Sequence, residues 1–282
     1  MTPEALGGDV LAWGLPRLRD LPWRRTRDPW AVLVSEVMLQ QTQVARVMPK
    51  WEAFLAAFPT PTSCAAAPLG DVLRLWHGLG YPRRARNLHE AAAAVATSGG
   101  FPTTLHGLLA LPGVGPYTAR AVMAFAFERD VAVVDTNIAR VYARLFGRRL
   151  TSAEVQRVAD EAVPRGDGWA WNQCLMDLGA LLCRPTAPHC AECPLLARCA
   201  FHGAGADPAV GSAGVSSRQP RFAGSDRQAR GRLMKALVDA PVDRREAGAL
   251  MHRSEESAAV LIDGLICDRL VVADGRQLRL PG

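Results

Sequence analysis

Lysine is almost missing from this chain of 282 residues: Lys50 and Lys235 are its only examples among 33 basic residues. Any chemistry that needs a lysine amine therefore has two candidates. Long apolar runs are also missing. No stretch approaches the ~20 apolar residues of a membrane helix, and Met1 to Gly14 lacks the basic start and continuous apolar run of a secretory signal. The expectation is a cytoplasmic protein with no membrane partner. Between Asp28 and about His202 no run of alternating residues reads as a strand, so a sheet architecture is excluded there.

What is present is enough apolar sequence for one large or two modest domains, since 49% of the residues are hydrophobic and wholesale disorder is excluded. The net charge of +6 favours an acidic partner, with nucleic acid the usual one. The helical region has punctuated periodic segments. Asp28-Pro29 reads as an N-cap followed by proline, opening a helix whose apolar residues run from Trp30 through Val37 and Met38 to Val44. Further helices are expected around 51–58, 70–78, 83–96, 105–109, 116–127, 135–146, 152–163 and 169–182.

Gly203 to Pro220 is rich in glycine, serine and alanine and has no large apolar residue, which predicts a flexible linker. Helices over 226–239, 244–251 and 254–266 follow, then two short apolar strands about Asp274-Gly275. The predicted architecture is mostly α: a helical domain over 1–202, a linker over 203–220 and a small winged-helix-like domain over 221–282. Such a domain binds DNA through its third helix or only mediates protein contacts. The scarcity of basic residues in 254–266 favours the second role.

Two motifs suggest chemistry. Cys183, Cys190, Cys193 and Cys199 have the spacing C-x6-C-x2-C-x5-C, and four thiolates within one loop can hold a [4Fe-4S] cluster or a zinc ion. The unequal gaps lack the paired knuckles of a zinc ribbon, so the cluster is the favoured expectation; zinc and a disulfide pair are the alternatives. Cys64, Cys174 and Cys267 read as packing residues. Leu111-Pro-Gly-Val-Gly-Pro-Tyr-Thr-Ala119 lies between two expected helices. Its Gly113 and Gly115 allow a tight turn whose exposed amides attract a phosphate without reading sequence; an ordinary interhelical turn is the plainer alternative.

The L-P-G-V-G hairpin, Val134-Asp-Thr-Asn137 about twenty residues later and the downstream cysteines resemble the endonuclease III superfamily of helix-hairpin-helix DNA glycosylases. Within it, Leu21-Pro-Trp-Arg24, Ser35-Glu-Val-Met-Leu-Gln-Gln-Thr-Gln43, Gly78-Leu-Gly-Tyr81 and Asn172-Gln-Cys-Leu-Met-Asp-Leu-Gly179 resemble the MutY family of adenine glycosylases. The resemblance covers about Leu21 to Cys199. It implies base-excision repair on double-stranded DNA holding adenine opposite 8-oxoguanine or guanine, by a monomer working at the bacterial nucleoid. It also implies roles for particular residues. Glu36 would be the general acid that protonates the purine, and Asp135 would stabilise or transiently attack the cationic sugar, with Asn137 orienting it.

Tyr117 stands where bifunctional relatives carry the lysine of Schiff-base chemistry, which implies a monofunctional enzyme. Gln41, Thr42 and Tyr81 would fill or wedge the hole left by base flipping, and Trp23, Arg24 and Gln173 would shape the adenine pocket. Taken one at a time, Glu36 also reads as a helix-surface charge, Asp135 as an N-cap, Trp23 and Tyr81 as core, and Tyr117 as a hairpin anchor. Arg83, Arg84 and Arg86 are candidate phosphate contacts or a solvated helix face. The larger C-terminal domain with which typical members sense 8-oxoguanine has no recognisable counterpart after Pro220. A thymine or uracil glycosylase acting opposite guanine and a non-catalytic iron-sulfur DNA-binding protein are the other readings.

Overall fold

The computed structural model describes residues 3–215 and 221–282, so residues 216–220 of the expected linker lie outside the described residues. In chain order the elements are α1 (Pro3–Gly14), α2 (Pro29–Leu39), α3 (Val44–Ala57), α4 (Pro61–Ala66), α5 (Leu69–Trp76), α6 (Arg83–Thr97) and α7 (Leu105–Leu109). Then come α8 (Pro116–Phe125), α9 (Thr136–Phe146), α10 (Ser152–Ala162), α11 (Gly168–Leu181) and α12 (Asp226–Asp239). The chain closes with β1 (Val242–Asp243), α13 (Ala247–Met251), α14 (Glu255–Cys267), β2 (Val272–Asp274) and β3 (Gln277–Arg279). It is mostly α-helical and divides into two compact units, one of residues 1–32, 103–105 and 115–218, the other of residues 33–102, 106–114 and 219–282.

The first unit is built around α9 and α11. Ile138, Tyr142 and Leu145 of α9 meet Trp171, Leu175 and Leu178 of α11, with Leu6 and Val10 of α1 and Val155 of α10 in the same core. Burial of each large side chain there contributes about 1.5–3 kcal/mol. Helix α1 is not apparent in the sequence because two adjacent glycines, Gly7 and Gly8, break its periodicity. Beyond Cys199 the chain continues along this unit. Asp207 pairs with Arg144 at 2.6 Å, the Ser212 hydroxyl accepts from the Leu150 amide, and Ala213 donates to the Leu150 carbonyl. Ala209 is buried. Residues 203–215 are thus fastened by small-residue contacts and polar bonds that a tally of large apolar residues misses.

In the second unit Phe54 makes edge contacts with Phe58 and Trp76. Helix α4, also unread in the sequence, starts with a capping box: Ser63 donates its amide to the Thr60 hydroxyl and Thr60 its amide to the Ser63 hydroxyl, both at 3.1 Å. The expected helix from Asp28 to Val44 is two helices. Asp28 caps it as read, with Oδ1 accepting from the Trp30 amide at 3.1 Å, but α2 stops at Leu39 and Gln41 takes φ +57.

The C-terminal segment belongs to this second unit. Its sheet has the order β1-β3-β2, with Val242 opposite Leu278 and Val272 opposite Arg279. Gly275, at φ +58, is the first of the two residues joining β2 to β3, as a type II′ turn requires. The segment is anchored on α5 and α6: the Gly70 amide donates to the Pro281 carbonyl at 2.8 Å, and Arg83 and Glu90 pair with Asp268 and Arg269. At Gly70 a Cβ would lie 2.4 Å from that carbonyl oxygen, so the docking requires glycine.

Candidate active site

Asp135 is the N-cap of α9, with extended backbone at φ −88 and ψ −177. Its Oδ1 accepts from the Ile138 amide at 2.7 Å and its Oδ2 from the Asn137 side-chain amide at 2.8 Å. Asn137 in turn accepts from Arg140 Nη2 at 2.8 Å, and Arg140 is fixed by the carbonyls of Cys183 and Gly179, each at 2.7 Å. The carboxylate is thereby oriented by a chain of donors. Burial raises its pKa above the ordinary aspartate value, outweighing the hydrogen bonds from Ile138 and Asn137 and the Arg140 charge, which act to lower it. Capping alone would favour the ionised form, and burial reverses that preference. Upstream, Asn172 accepts from the Val133 amide and donates to the Val131 carbonyl, so α11 holds the extended approach to Asp135.

Trp23, Arg24 and Gln173 lie in this same unit and are buried. Arg24 makes a two-pronged bond to Asp177, with Nη1 to Oδ2 at 2.8 Å and Nη2 to Oδ1 at 2.9 Å, and Arg19 joins the same carboxylate. Burial by itself would raise the Asp177 pKa; the two arginines bring it below the ordinary value. The structure thus gives Arg24 an anchoring role that fixes the turn bearing Trp23. Tyr117, half-buried, sits in the first turn of α8, whose N-cap is Gly115. Gly115 has φ −90, and a Cβ built there meets nothing within 4 Å.

The second unit carries Glu36, Gln41, Thr42, Tyr81 and Gly113. Glu36 is buried near the end of α2. Arg84 of α6 organises the loops that follow α2 and α5. Its Nη1 donates to the carbonyls of Val37 at 2.7 Å, Met38 at 3.0 Å and Gln40 at 2.6 Å, at the C-terminal end of α2 and just beyond it. Its Nη2 donates to Thr42 Oγ1 at 3.2 Å and to the carbonyls of Leu79 and Gly80 at 2.9 and 3.1 Å. One guanidinium therefore ties Gln40–Thr42 to Leu79–Tyr81 and stops α2 at Leu39. Burial lowers the Arg84 pKa to about 10.

Nothing in the residue types distinguishes Arg84 from its neighbours in sequence, but the structure does. Arg83 pairs with Asp268, and Arg86 donates to the Asp268 carbonyl and to Asn87. All three arginines are thus engaged within the protein. Gly113 has φ +73, and a Cβ there would lie 2.6 Å from that of Asn87, so this hairpin position accepts only glycine.

The iron-sulfur expectation is overturned. Among the described residues no group of three or more His, Cys, Asp or Glu side chains is arranged to hold a metal ion. This removes the [4Fe-4S] cluster from the predicted fold and cofactor, removes zinc, and removes Cys183, Cys190, Cys193 and Cys199 as metal ligands. None of the four is in a disulfide. They border an apolar pocket with Arg144, Leu182 and His189. Cys183, Cys193 and Cys199 pack against the first unit's core.

The physical reason for the correction starts from two of the thiols, which are engaged by protein. Arg144 Nη1 donates to Cys183 Sγ at 3.4 Å, and Cys199 Sγ donates to the Arg144 carbonyl at 3.4 Å. Burial raises the Cys183 thiol and lifts that of Cys193 to about 11, which disfavours the thiolates that ligation needs.

Residues 34–165 match the HhH-GPD superfamily of base excision DNA repair proteins. The chain is 40% identical to the adenine DNA glycosylase of Mycolicibacterium smegmatis over 279 residues, 95% of this chain and 94% of that protein. It is 41% identical to the adenine DNA glycosylase of Mycobacterium tuberculosis over 287 residues, 97% of this chain and 93% of that one. A thermostable thymine-DNA glycosylase has a similar structure, with a TM-score of 0.66 and 30% identity across 71% of this chain and 96% of that one. Identity at this level along nearly the whole of both chains means that the chain belongs to the adenine DNA glycosylases of the helix-hairpin-helix superfamily.

Proposed function

We propose that the chain hydrolyses the N-glycosidic bond of adenine mispaired with 8-oxoguanine or guanine in double-stranded DNA, and leaves an abasic site without cutting the strand. Adenine leaves poorly unless its ring is protonated, and Glu36 is assigned as the general acid that supplies the proton. Bond breaking develops positive charge on the sugar. Asp135 is assigned to stabilise that charge, or to attack the sugar carbon transiently, before water completes the hydrolysis. The observation that carries this assignment is the setting of Asp135: an aimed carboxylate, desolvated, with no basic side chain among the described residues bonded to it directly. Attraction to a cation is stronger in such surroundings than in water, and the group is already oriented before reaction.

Asn137 and Arg140 maintain that orientation. Tyr117 supplies a phenol where strand cleavage would need an amine, consistent with a monofunctional reaction. Gln41, Thr42 and Tyr81 are assigned to the space vacated by the flipped adenine. The left-handed backbone of Gln41 and Tyr81, at φ +57 and +49, is the strain expected of residues held ready for insertion. Trp23 and Gln173 are assigned to the adenine pocket, with Arg24 holding the Trp23 turn. Gly113 and Gly115 are assigned to a phosphate contact. The protein around Gly115 leaves room for a side chain, so an approaching phosphate supplies a reason for glycine that packing does not.

The test is base release under single-turnover conditions from duplexes holding A opposite 8-oxoguanine, A opposite guanine, T opposite guanine and U opposite guanine, with products resolved before and after alkali. Adenine release that yields strand breaks only after alkali is the expected result. Release of thymine or uracil instead would favour the reading suggested by the thymine-DNA glycosylase likeness, and breaks before alkali would contradict the monofunctional assignment.

A further inference from the structure

Tyr81 is the most exposed of the aromatic residues assigned above, at 37%, and it is held from two sides. On one side the Arg84 guanidinium lies 5.5 Å from the centre of its ring. On the other, Arg227 Nη1 donates to the Tyr81 hydroxyl at 3.0 Å, across 146 positions of sequence. Arg227 lies in the first turn of α12, whose cap Ser225 accepts from the Gln228 amide at 3.2 Å. Its guanidinium also stands 5.3 Å from the ring of Phe222, which is 53% exposed. Both segments belong to the second compact unit, and Gly70–Pro281 and Arg83–Asp268 fasten α5 and α6 to the same C-terminal segment.

We infer that Arg227 is a positioning residue for Tyr81: the C-terminal segment fixes the phenol in the direction in which its ring enters the duplex. This rests on the assignment of Tyr81 to the space left by the flipped base. Left to itself, an exposed tyrosine samples several rotamers and must be ordered each time it inserts. A charge-assisted bond to its hydroxyl removes that requirement in advance. The φ of +49 already restricts the backbone, so the side-chain direction is the freedom that remains. The stacked Phe222 ring limits where Arg227 can go, which makes the arginine a firm partner in spite of its surface position.

The experiment is a double-mutant cycle on the full chain. Affinity for a duplex carrying a tetrahydrofuran abasic analogue opposite guanine, and the single-turnover rate of adenine release from an A·G duplex, are measured for the wild type, Tyr81→Phe, Arg227→Ala, Arg227→Lys and the Tyr81→Phe/Arg227→Ala pair. Each of Tyr81→Phe and Arg227→Ala is expected to weaken binding by about three- to tenfold, the pair no more than either alone, with partial rescue by Arg227→Lys. Additive losses would mean that Arg227 acts on the duplex directly and would overturn the inference, as would an unchanged Arg227→Ala. Tyr81→Ala separates the two layers. If it leaves binding and release intact, the wedge assignment fails and this inference with it; if it weakens both while Arg227→Ala does not, only this inference fails.

Discussion

Arg84 and Arg144 are both drawn into the protein by several hydrogen bonds, yet their surroundings move their acidities in opposite directions. Arg144, in the first unit, has a carboxylate partner. It pairs with Asp207 and donates to Cys183 and to the carbonyls of Arg184 and Pro185, and these bonds raise its pKa above the ordinary arginine value in spite of burial. Arg84, in the second unit, donates to carbonyls and a hydroxyl, with no carboxylate among those acceptors, and burial lowers it to about 10. The first is a compensated clamp that braces the loop after α11. The second keeps an uncompensated positive charge beside the two loops assigned to DNA. A guanidinium that braces a fold is best paired with a carboxylate, whereas one that shapes a surface for a polyanion gains from keeping its charge.

The largest effect that sharpens this contrast lies next to Arg84. Glu36→Gln is expected to lower single-turnover adenine release by about 10²–10⁴-fold while leaving DNA binding measurable. The arginines themselves should then separate. Arg144→Met leaves Asp207 and two carbonyls without their partner and is expected to cost about 3 kcal/mol in denaturant titrations, while the protein that remains folded releases adenine at the normal rate. Arg84→Met is expected to reduce DNA affinity and adenine release together under conditions where it is still folded. Equal activity losses in the two variants would break the comparison.

The hairpin glycines provide a smaller contrast of the same kind. Gly113→Ala meets both a positive φ and a 2.6 Å contact with Asn87, and is expected to lower stability by about 1–3 kcal/mol. Gly115→Ala meets no protein atom and should melt like the wild type, with DNA affinity reduced by about tenfold if a phosphate approaches that amide.

The fold was legible wherever periodicity and capping chemistry coincide. Asp28 and Asp135 cap the helices read from them, and α7 and α12 have the expected bounds. Elements went unread where the signal lies in side-chain reciprocity, as at Thr60 and Ser63, or is diluted by glycine, as in α1. The break between α2 and α3 is a tertiary effect: apolar periodicity continues through Val44, and only the carbonyls taken by Arg84 and the turn at Gln41 show why the helix ends.

At the site, Glu36, Asp135 and Asn137 could be singled out because their motif supplies both identity and spacing. Arg140, Asn172 and Asp177 were given no role, and Arg84 only one shared with Arg83 and Arg86, because a buried polar residue and a surface one look alike until the partners 39 to 153 positions away are known. The cysteine spacing misled for the converse reason: spacing reports proximity along the chain, whereas ligation needs an arrangement able to hold an ion, and no such group occurs among the described residues. The acidic character of α14 was legible in the sequence. Glu255, Glu256 and Asp263 are exposed along it, and it has no lysine or arginine, so phosphate contact in the C-terminal segment is better suited to the basic α12.

The smallest expected effect concerns pH. Since Asp135 must be ionised to stabilise a cation and burial raises its pKa, adenine release should fall on acidification at a pH above the ordinary aspartate range. Asn137→Ala removes a bond that favours the ionised form and should move that acid limb to still higher pH. A limb that does not respond would assign it to another group.

The most direct test of the account compares Asp135→Asn with Asp135→Ala by single-turnover adenine release and thermal melting in the same preparations. Asparagine can still accept from the Ile138 amide, so its melting temperature should exceed that of the alanine variant by about 3 °C, the value of a cap in a chain of this size. Adenine release should be lost in both, because neither retains a carboxylate. Release that persists in Asp135→Asn within about tenfold of the wild type, a loss too small for a group that stabilises the reacting charge, would reduce Asp135 to a helix cap and contradict its assignment to the chemistry.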